Sequence, residues 1–187
     1  MSRSISTTPV SKVIIFSFAV FAIAVFSGCE RGRTYSSSDS FTLQTNLAEL
    51  TENSVRVALA LESDTQGLPL LRATFTPLEK GLHLYGKDMP EEGVNGFGVP
   101  TRLDLISGPV KPTGPVFCDV RPQDLRVSGV TLPIYSEGPV ILRQPIEIIG
   151  TGAISAEVAL SYMACRTGGE CKFPVQRKKV TLTIRKG

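Results

Sequence analysis

Apolar residues recur at every second position through most of this chain, and no long stretch carries the 3.6-residue spacing of an amphipathic helix. SVRVALALES sets Val55, Val57, Leu59 and Leu61 on one side, and TRLDLIS does the same with Leu103 and Leu105. AISAEVALSY aligns Ile154, Ala156, Val158, Leu160 and Tyr162, and KKVTLTIR aligns Val180, Leu182 and Ile184. Successive side chains of an extended strand point to opposite faces, so each segment buries one face and wets the other. Shorter candidates are LRATFTPL (71–78), LHLYG (82–86), VFCDV (116–120), and the pair PVIL and PIEII within 139–149. NLAELTE (46–52) looks briefly helical, with a strand edge as the other reading. Glycine and proline punctuate these runs, at Gly67, Pro69, Gly81, Gly108-Pro109 and Gly138-Pro139 among others. The expectation is an all-β antiparallel sandwich; a parallel α/β sheet or a thioredoxin-like fold lacks the helices it needs.

The N-terminus departs from this pattern. Arg3 and Lys12 precede the apolar run VIIFSFAVFAIAVF (13–26), broken only by Ser17 and followed by Ser27, Gly28 and Cys29. A basic start, a short apolar run and small residues describe an export signal. As a helix the run would span about 21 Å, short of a bilayer core of about 30 Å, so a permanent transmembrane helix is the weaker reading. Cys29 directly after Phe-Ser-Gly resembles the lipobox of bacterial lipoproteins, in which the cysteine is lipidated and becomes the mature N-terminus. Phe26 is a less usual residue at its first position, so an ordinary cleaved signal stays open. The expected organisation is a signal over 1–28, a polar, serine-rich tether over 29–45 and one sandwich domain over 46–187. The expected location is the periplasmic side of the cell envelope, held to a membrane through lipid on Cys29. Glu30, where an aspartate would suggest inner-membrane retention, favours the outer membrane by analogy.

Composition excludes several function classes. Arg3 and Lys12 fall within the signal, so the remainder carries 18 basic and 17 acidic side chains and gives no warrant for a nucleic-acid partner. The basic run Arg177-Lys178-Lys179 reads as the solvated end of a strand. With one histidine, His83, and no G-x-S-x-G there is no recognisable Ser-His-Asp triad. GVNGFG (93–98) lacks the lysine and helix of a phosphate loop and reads as a mobile loop. No cofactor is expected, and no metal either: two cysteines and one distant histidine make a poor zinc site, although copper(I) on two thiolates with Met163 is chemically allowed.

Cysteine chemistry remains. An exported chain lives where disulfides persist. Setting Cys29 aside leaves Cys118, Cys165 and Cys171. Cys165 and Cys171, in SYMACRTGGECKFP, are natural partners because strand candidates over 153–163 and 178–185 flank them and Gly168-Gly169 turns the chain back. Cys118 sits in an apolar strand, where a free thiol packs as a small hydrophobe; a resolving or intermolecular role is the alternative. Closing a loop of about seven residues contributes only about 2 to 2.5 kcal/mol, a modest reason for a disulfide in a domain this size. A working pair needs accessible sulfurs and neighbours that bias the thiolate: Arg166 and Lys172 favour it, and Glu170 opposes it. Structural staple and redox pair both stay open on these grounds.

Two stretches resemble one family. VALSYMACRTGGECKFP is similar to the cysteine motif of the N-terminal periplasmic domain of the thiol:disulfide interchange protein DsbD: a strand ending in tyrosine, then cysteine, a short loop, cysteine, an aromatic residue and proline. LEKGLHLYGKDMPEEGVNGFGVPTRLDL resembles that family's segment in which a Gly-x-His-x-Tyr strand leads through a proline- and glycine-rich loop to the next strand. The resemblance implies an immunoglobulin-like sandwich and thiol-disulfide oxidoreductase chemistry without a cofactor. Cys165 and Cys171 would cycle between dithiol and disulfide, Cys171 forming the mixed disulfide and Cys165 resolving it. GVTLPIYSEGP (129–139) would be the cap loop, with Ile134 and Tyr135 shielding the pair, and His83 and Tyr85 would line it. The chain ends at Gly187 without the membrane and thioredoxin-like domains of full-length members, so a thioredoxin-like or membrane reductase donor would act in trans, with oxidised periplasmic proteins as recipients. The other reading is a non-catalytic sandwich lipoprotein that binds an envelope partner and uses the bridge structurally.

Overall fold

The computed structural model describes residues 43–186, so the expected export signal, Cys29 and the expected tether up to residue 42 lie outside the described residues. Among those described, regular structure is entirely strand. One sheet runs in the order β1 (Gln44–Glu52), β2 (Val55–Ser63), β3 (Pro69–Pro77), β10 (Val140–Ile148) and β6 (Val110–Pro112), and β7 (Phe117–Cys118) also pairs with β10. The second runs β13 (Val175–Lys186), β11 (Gly152–Tyr162), β5 (Arg102–Ser107). Two small ribbons complete the domain: β4 (Leu82–Leu84) with β12 (Ala164–Arg166), and the hairpin β8 (Gln123–Val127) with β9 (Val130–Ile134). Every pairing between these strands is antiparallel.

The alternation read from the sequence is what makes the sandwich. Val55, Val57, Leu59 and Leu61 of β2 enter one core with Leu71 and Phe75 of β3 and with Ile154, Val158, Leu160 and Tyr162 of β11. Each fully buried aliphatic side chain of this kind contributes about 1.5 to 3 kcal/mol. Tyr162 reconciles its polar end with burial: its ring meets Phe75 edge-on at 5.7 Å, and its hydroxyl donates to the Glu52 carbonyl at 3.3 Å.

Three details differ from the sequence reading. NLAELTE is strand, not helix, because its residues pair along β2 from Ala48↔Leu59 to Glu52↔Val55. PVIL and PIEII are one strand, β10; its pairing passes from β3 to β6 around Pro145, whose missing N–H is tolerated at that handover. The stretch 123–134 contributes the β8–β9 hairpin, whose strands the alternation alone does not reveal.

Two backbone irregularities occur in the strands that lead toward the cysteine hairpin and its neighbours. Asn53 and Ser54 both have positive φ, 50° and 60°, which forms the tight two-residue turn between β1 and β2 and brings Ser54 beside the β3–β4 connection. Between Leu160 and Tyr162 the β11–β13 register shifts; Arg177 takes φ 49° there, and its N–H donates to the Ser161 hydroxyl oxygen at 2.9 Å.

Candidate active site

The β4–β12 ribbon sorts residues by face. Its register pairs Leu84 with Ala164 and His83 with Cys165. Leu82, Leu84 and Ala164 enter the sandwich core, while Tyr85 and Cys165 enter a second cluster with Met89 and Leu132. Val94, Val130, Ile134 and Met163 pack around that cluster.

Cys165 and Cys171 form a disulfide across a narrow hairpin. They face one another directly, and the ladder bonds lie on either side: Lys172 N–H to Ala164 O at 2.8 Å and Arg166 N–H to Glu170 O at 3.0 Å. That is the non-hydrogen-bonded position of an antiparallel pair, where backbones come closest, and the Cα atoms are 4.0 Å apart. Gly168, at φ 69°, supplies the left-handed residue the turn requires. The two sulfurs that copper(I) would need as thiolates are here bonded to each other.

The two halves of the cystine have different surroundings. Cys165 is 2% exposed, whereas Cys171 is an exposed residue at the hairpin's outer arm, followed by Phe173 at 81% exposure. The Tyr85 hydroxyl donates to Cys165 Sγ at 3.1 Å. Burial pushes the Tyr85 phenol up, so it stays protonated and remains a donor across the physiological range. His83 meets the Tyr85 ring edge-on at 5.6 Å; it is 4% exposed, and burial pushes its imidazole down, toward the neutral form. Its Nε2 is buried without a hydrogen-bond partner.

Two segments cover this cluster. The β8–β9 hairpin is stitched to the end of β4 through Tyr135 N–H to Leu84 O and Gly86 N–H to Pro133 O, both 2.8 Å, and Ile134 bridges to Tyr85. The loop over 93–98 closes on itself through reciprocal Val94–Phe97 bonds of 3.0 Å, and Gly98 lies flat on the Tyr85 ring. A Cβ at Gly98 would sit 2.8 Å from Tyr85 Cδ1 and Cε1. The glycine-rich loop expected to be mobile thus packs its Gly98 against the tyrosine.

Of the two residues expected to shield the pair, the structure brings only Ile134 to the Cys165 cluster. Tyr135, its neighbour in sequence, points into the sandwich core, where it is 1% exposed and its hydroxyl accepts the Lys87 N–H at 3.2 Å. Burial pushes its phenol up, as do Cys118 and Asp88 nearby. Cys118, a free thiol, packs against the sandwich core with Tyr135 rather than in the cluster that holds Cys165. Strand alternation explains the split between Ile134 and Tyr135 and brings Leu132 into the cover instead.

Arg166 and Lys172 turn to the back of the hairpin and meet one carboxylate. Arg166 Nη2 reaches Glu79 Oε2 at 2.7 Å, Lys172 Nζ reaches Oε1 at 3.0 Å, and the Ser54 hydroxyl donates to Oε1 at 2.6 Å. The hydroxyl bond, then the lysine and the arginine, hold the Glu79 carboxyl at about 2, well below the usual range. Sequence reasoning missed Glu79, Met89, Gly98 and Leu132. Only Gly98 left a signal, as the last glycine of GVNGFG; Glu79 looks in the sequence like any solvated glutamate in a turn.

No family model and no curated protein matches the chain. Among solved structures, the N-terminal periplasmic domain of ScsB from Proteus mirabilis is similar at 13% identity and a TM-score of 0.47, over 75% of this chain and 51% of that one. The chain spans about half the length of that structure.

Proposed function

We propose that this domain is a thiol-disulfide interchange module, anchored by lipid on Cys29 at the periplasmic side of the envelope. It takes electrons from a thioredoxin-like or membrane reductase donor in trans and passes them to oxidised envelope proteins. The observation that carries this reading is the one-sided cystine, exposed at Cys171 and buried at Cys165 against the Tyr85 hydroxyl. A donor thiolate attacks the accessible Cys171 sulfur, the Cys165–Cys171 bond breaks, and Cys165 leaves as a thiolate. The Tyr85 hydroxyl, already aimed at that sulfur, bonds the leaving thiolate more strongly than it bonds the disulfide. The donor's second thiol then displaces Cys171, so the donor ends as a disulfide and the pair as a dithiol. Running the same steps against a client disulfide returns the pair to its oxidised form, and no cofactor is consumed.

Trapping tests the assignment. A Cys165→Ala variant keeps the accessible sulfur and lacks the resolving one, so it should accumulate a mixed disulfide with a thioredoxin-fold protein on non-reducing gels of envelope extracts. Cys171→Ala should not. Equal trapping by both variants, or by neither under mildly reducing conditions, would support the structural-bridge reading instead.

A further inference from the structure

Arg166 and Lys172 each adjoin a cysteine, and a cation beside a thiol lowers its pKa and raises its reactivity. Both cations are nevertheless committed. The same carboxylate takes one on each oxygen, at 2.7 and 3.0 Å, and Arg166 Nη1 also bonds the Lys80 carbonyl at 2.5 Å. Ser54, held at φ 60° in the β1–β2 turn, donates to the same carboxylate oxygen that takes Lys172. A network drawn from three separate parts of the chain thus converges on the back of the cysteine hairpin. Other groups with access to the pair are Glu170 on the hairpin and His83 and Tyr85 on β4 and its end. None of these three carries a fixed positive charge at neutral pH, given that burial keeps His83 toward its neutral form.

We propose that Glu79 is a positioning residue that masks Arg166 and Lys172, so that the reduced pair is less reactive than its own basic neighbours would make it. Between partners, such a mask protects an accessible thiol from adventitious oxidants. A partner that presents its own carboxylate to Lys172 or Arg166 would compete with Glu79 and alter the charge felt at Cys171. The inference rests on the pair being reduced in use, but its test needs no partner, so its failure is distinct from a failure of the interchange reading.

The experiment is the pH profile of iodoacetamide alkylation of Cys171 in the reduced protein, followed by mass spectrometry of the Cys171 peptide. Glu79→Gln should move the midpoint down by about half a pH unit, which is about threefold more thiolate at pH 7. Adding Lys172→Gln should bring the midpoint back toward wild type. Ser54→Ala loosens the geometry but leaves both ion pairs, so it should leave the midpoint in place. A Glu79→Gln midpoint at or above wild type would overturn the proposal. So would a Ser54→Ala shift equal to that of Glu79→Gln, because it would trace the effect to a loosened hairpin rather than to charge.

Discussion

Tyr85 is where burial and chemistry meet in this molecule. A hydroxyl 3.1 Å from a buried sulfur adds little while that sulfur is in a disulfide, but hydrogen bonds to charged groups are worth about 1.5 to 3 kcal/mol. Tyr85→Phe should therefore slow reduction of the pair by dithiothreitol about ten- to a hundredfold in stopped-flow measurements, with folding stability changed by about 1 kcal/mol or less. An unchanged rate would remove Tyr85 from the mechanism. His83 makes a different prediction. Its folded pKa lies below the ordinary 6.5, so the unfolded chain takes up the proton first. Stability is then full above about pH 6.5 and falls as the pH drops below it toward the folded value, with a slope of at most about 1.4 kcal/mol per pH unit. His83→Leu should flatten that slope in urea titrations between pH 7 and 5. A slope that survives the substitution would assign the acid sensitivity elsewhere. The LHLY pattern already places His83 and Tyr85 on one face of a strand; that Nε2 lacks a partner and that the phenol meets a sulfur are tertiary facts with no sequence signal.

At the scale of elements, the cover over Cys165 depends on backbone contact at Gly98. Gly96 and Gly98 both have positive φ, 78° and 79°, but a Cβ at Gly96 meets nothing within 4 Å, while one at Gly98 meets the Tyr85 ring at 2.8 Å. Gly96→Ala should cost about 1 kcal/mol from backbone strain alone. Gly98→Ala should cost about 1 to 3 kcal/mol more through overpacking, and it should raise the alkylation rate of Cys165 in the reduced protein because Tyr85 is displaced. Equal costs for the two would mean that the loop does not bear on the tyrosine. Long strands were legible here because Val55 to Leu61 and Ile154 to Tyr162 alternate over several residues. The β8–β9 hairpin was not, because QDLRV and VTLPI are short and largely polar or half-buried, and their pairing is set by the Ser128-Gly129 turn. The expectation that Tyr135 shields the pair rests on the family resemblance, which points to a stretch of chain but not to the alternation that, carried one residue past β9, turns Tyr135 into the core.

At the scale of the whole described domain, the main core and the surroundings of Cys165 are separate clusters. The sandwich core draws on both sheets and includes neither cysteine of the pair: Cys165 belongs to a smaller cluster at the β4–β12 ribbon, and Cys171 is exposed. Domains of this kind have about 5 to 15 kcal/mol of stability, and closing a seven-residue loop accounts for only about 2 to 2.5 kcal/mol. On the proposed reading, the pair opens and closes on a scaffold to which its short loop closure contributes little. That separation was partly visible in the sequence, since the short C-x5-C loop made stability a modest reason for a bridge while leaving staple and redox pair both open. The one-sided exposure of Cys165 and Cys171 was not, because it arises from cover supplied by residues 89–98 and 130–134. The most direct test of the central claim is the reduction potential of the Cys165–Cys171 pair, measured by equilibration with glutathione and mass spectrometry of the alkylated protein. The account predicts a value more oxidising than about −300 mV, within reach of thioredoxin-like donors, with the reduced protein still folded by circular dichroism. A value below about −300 mV, or unfolding on reduction, would identify the bridge as a structural staple and contradict it.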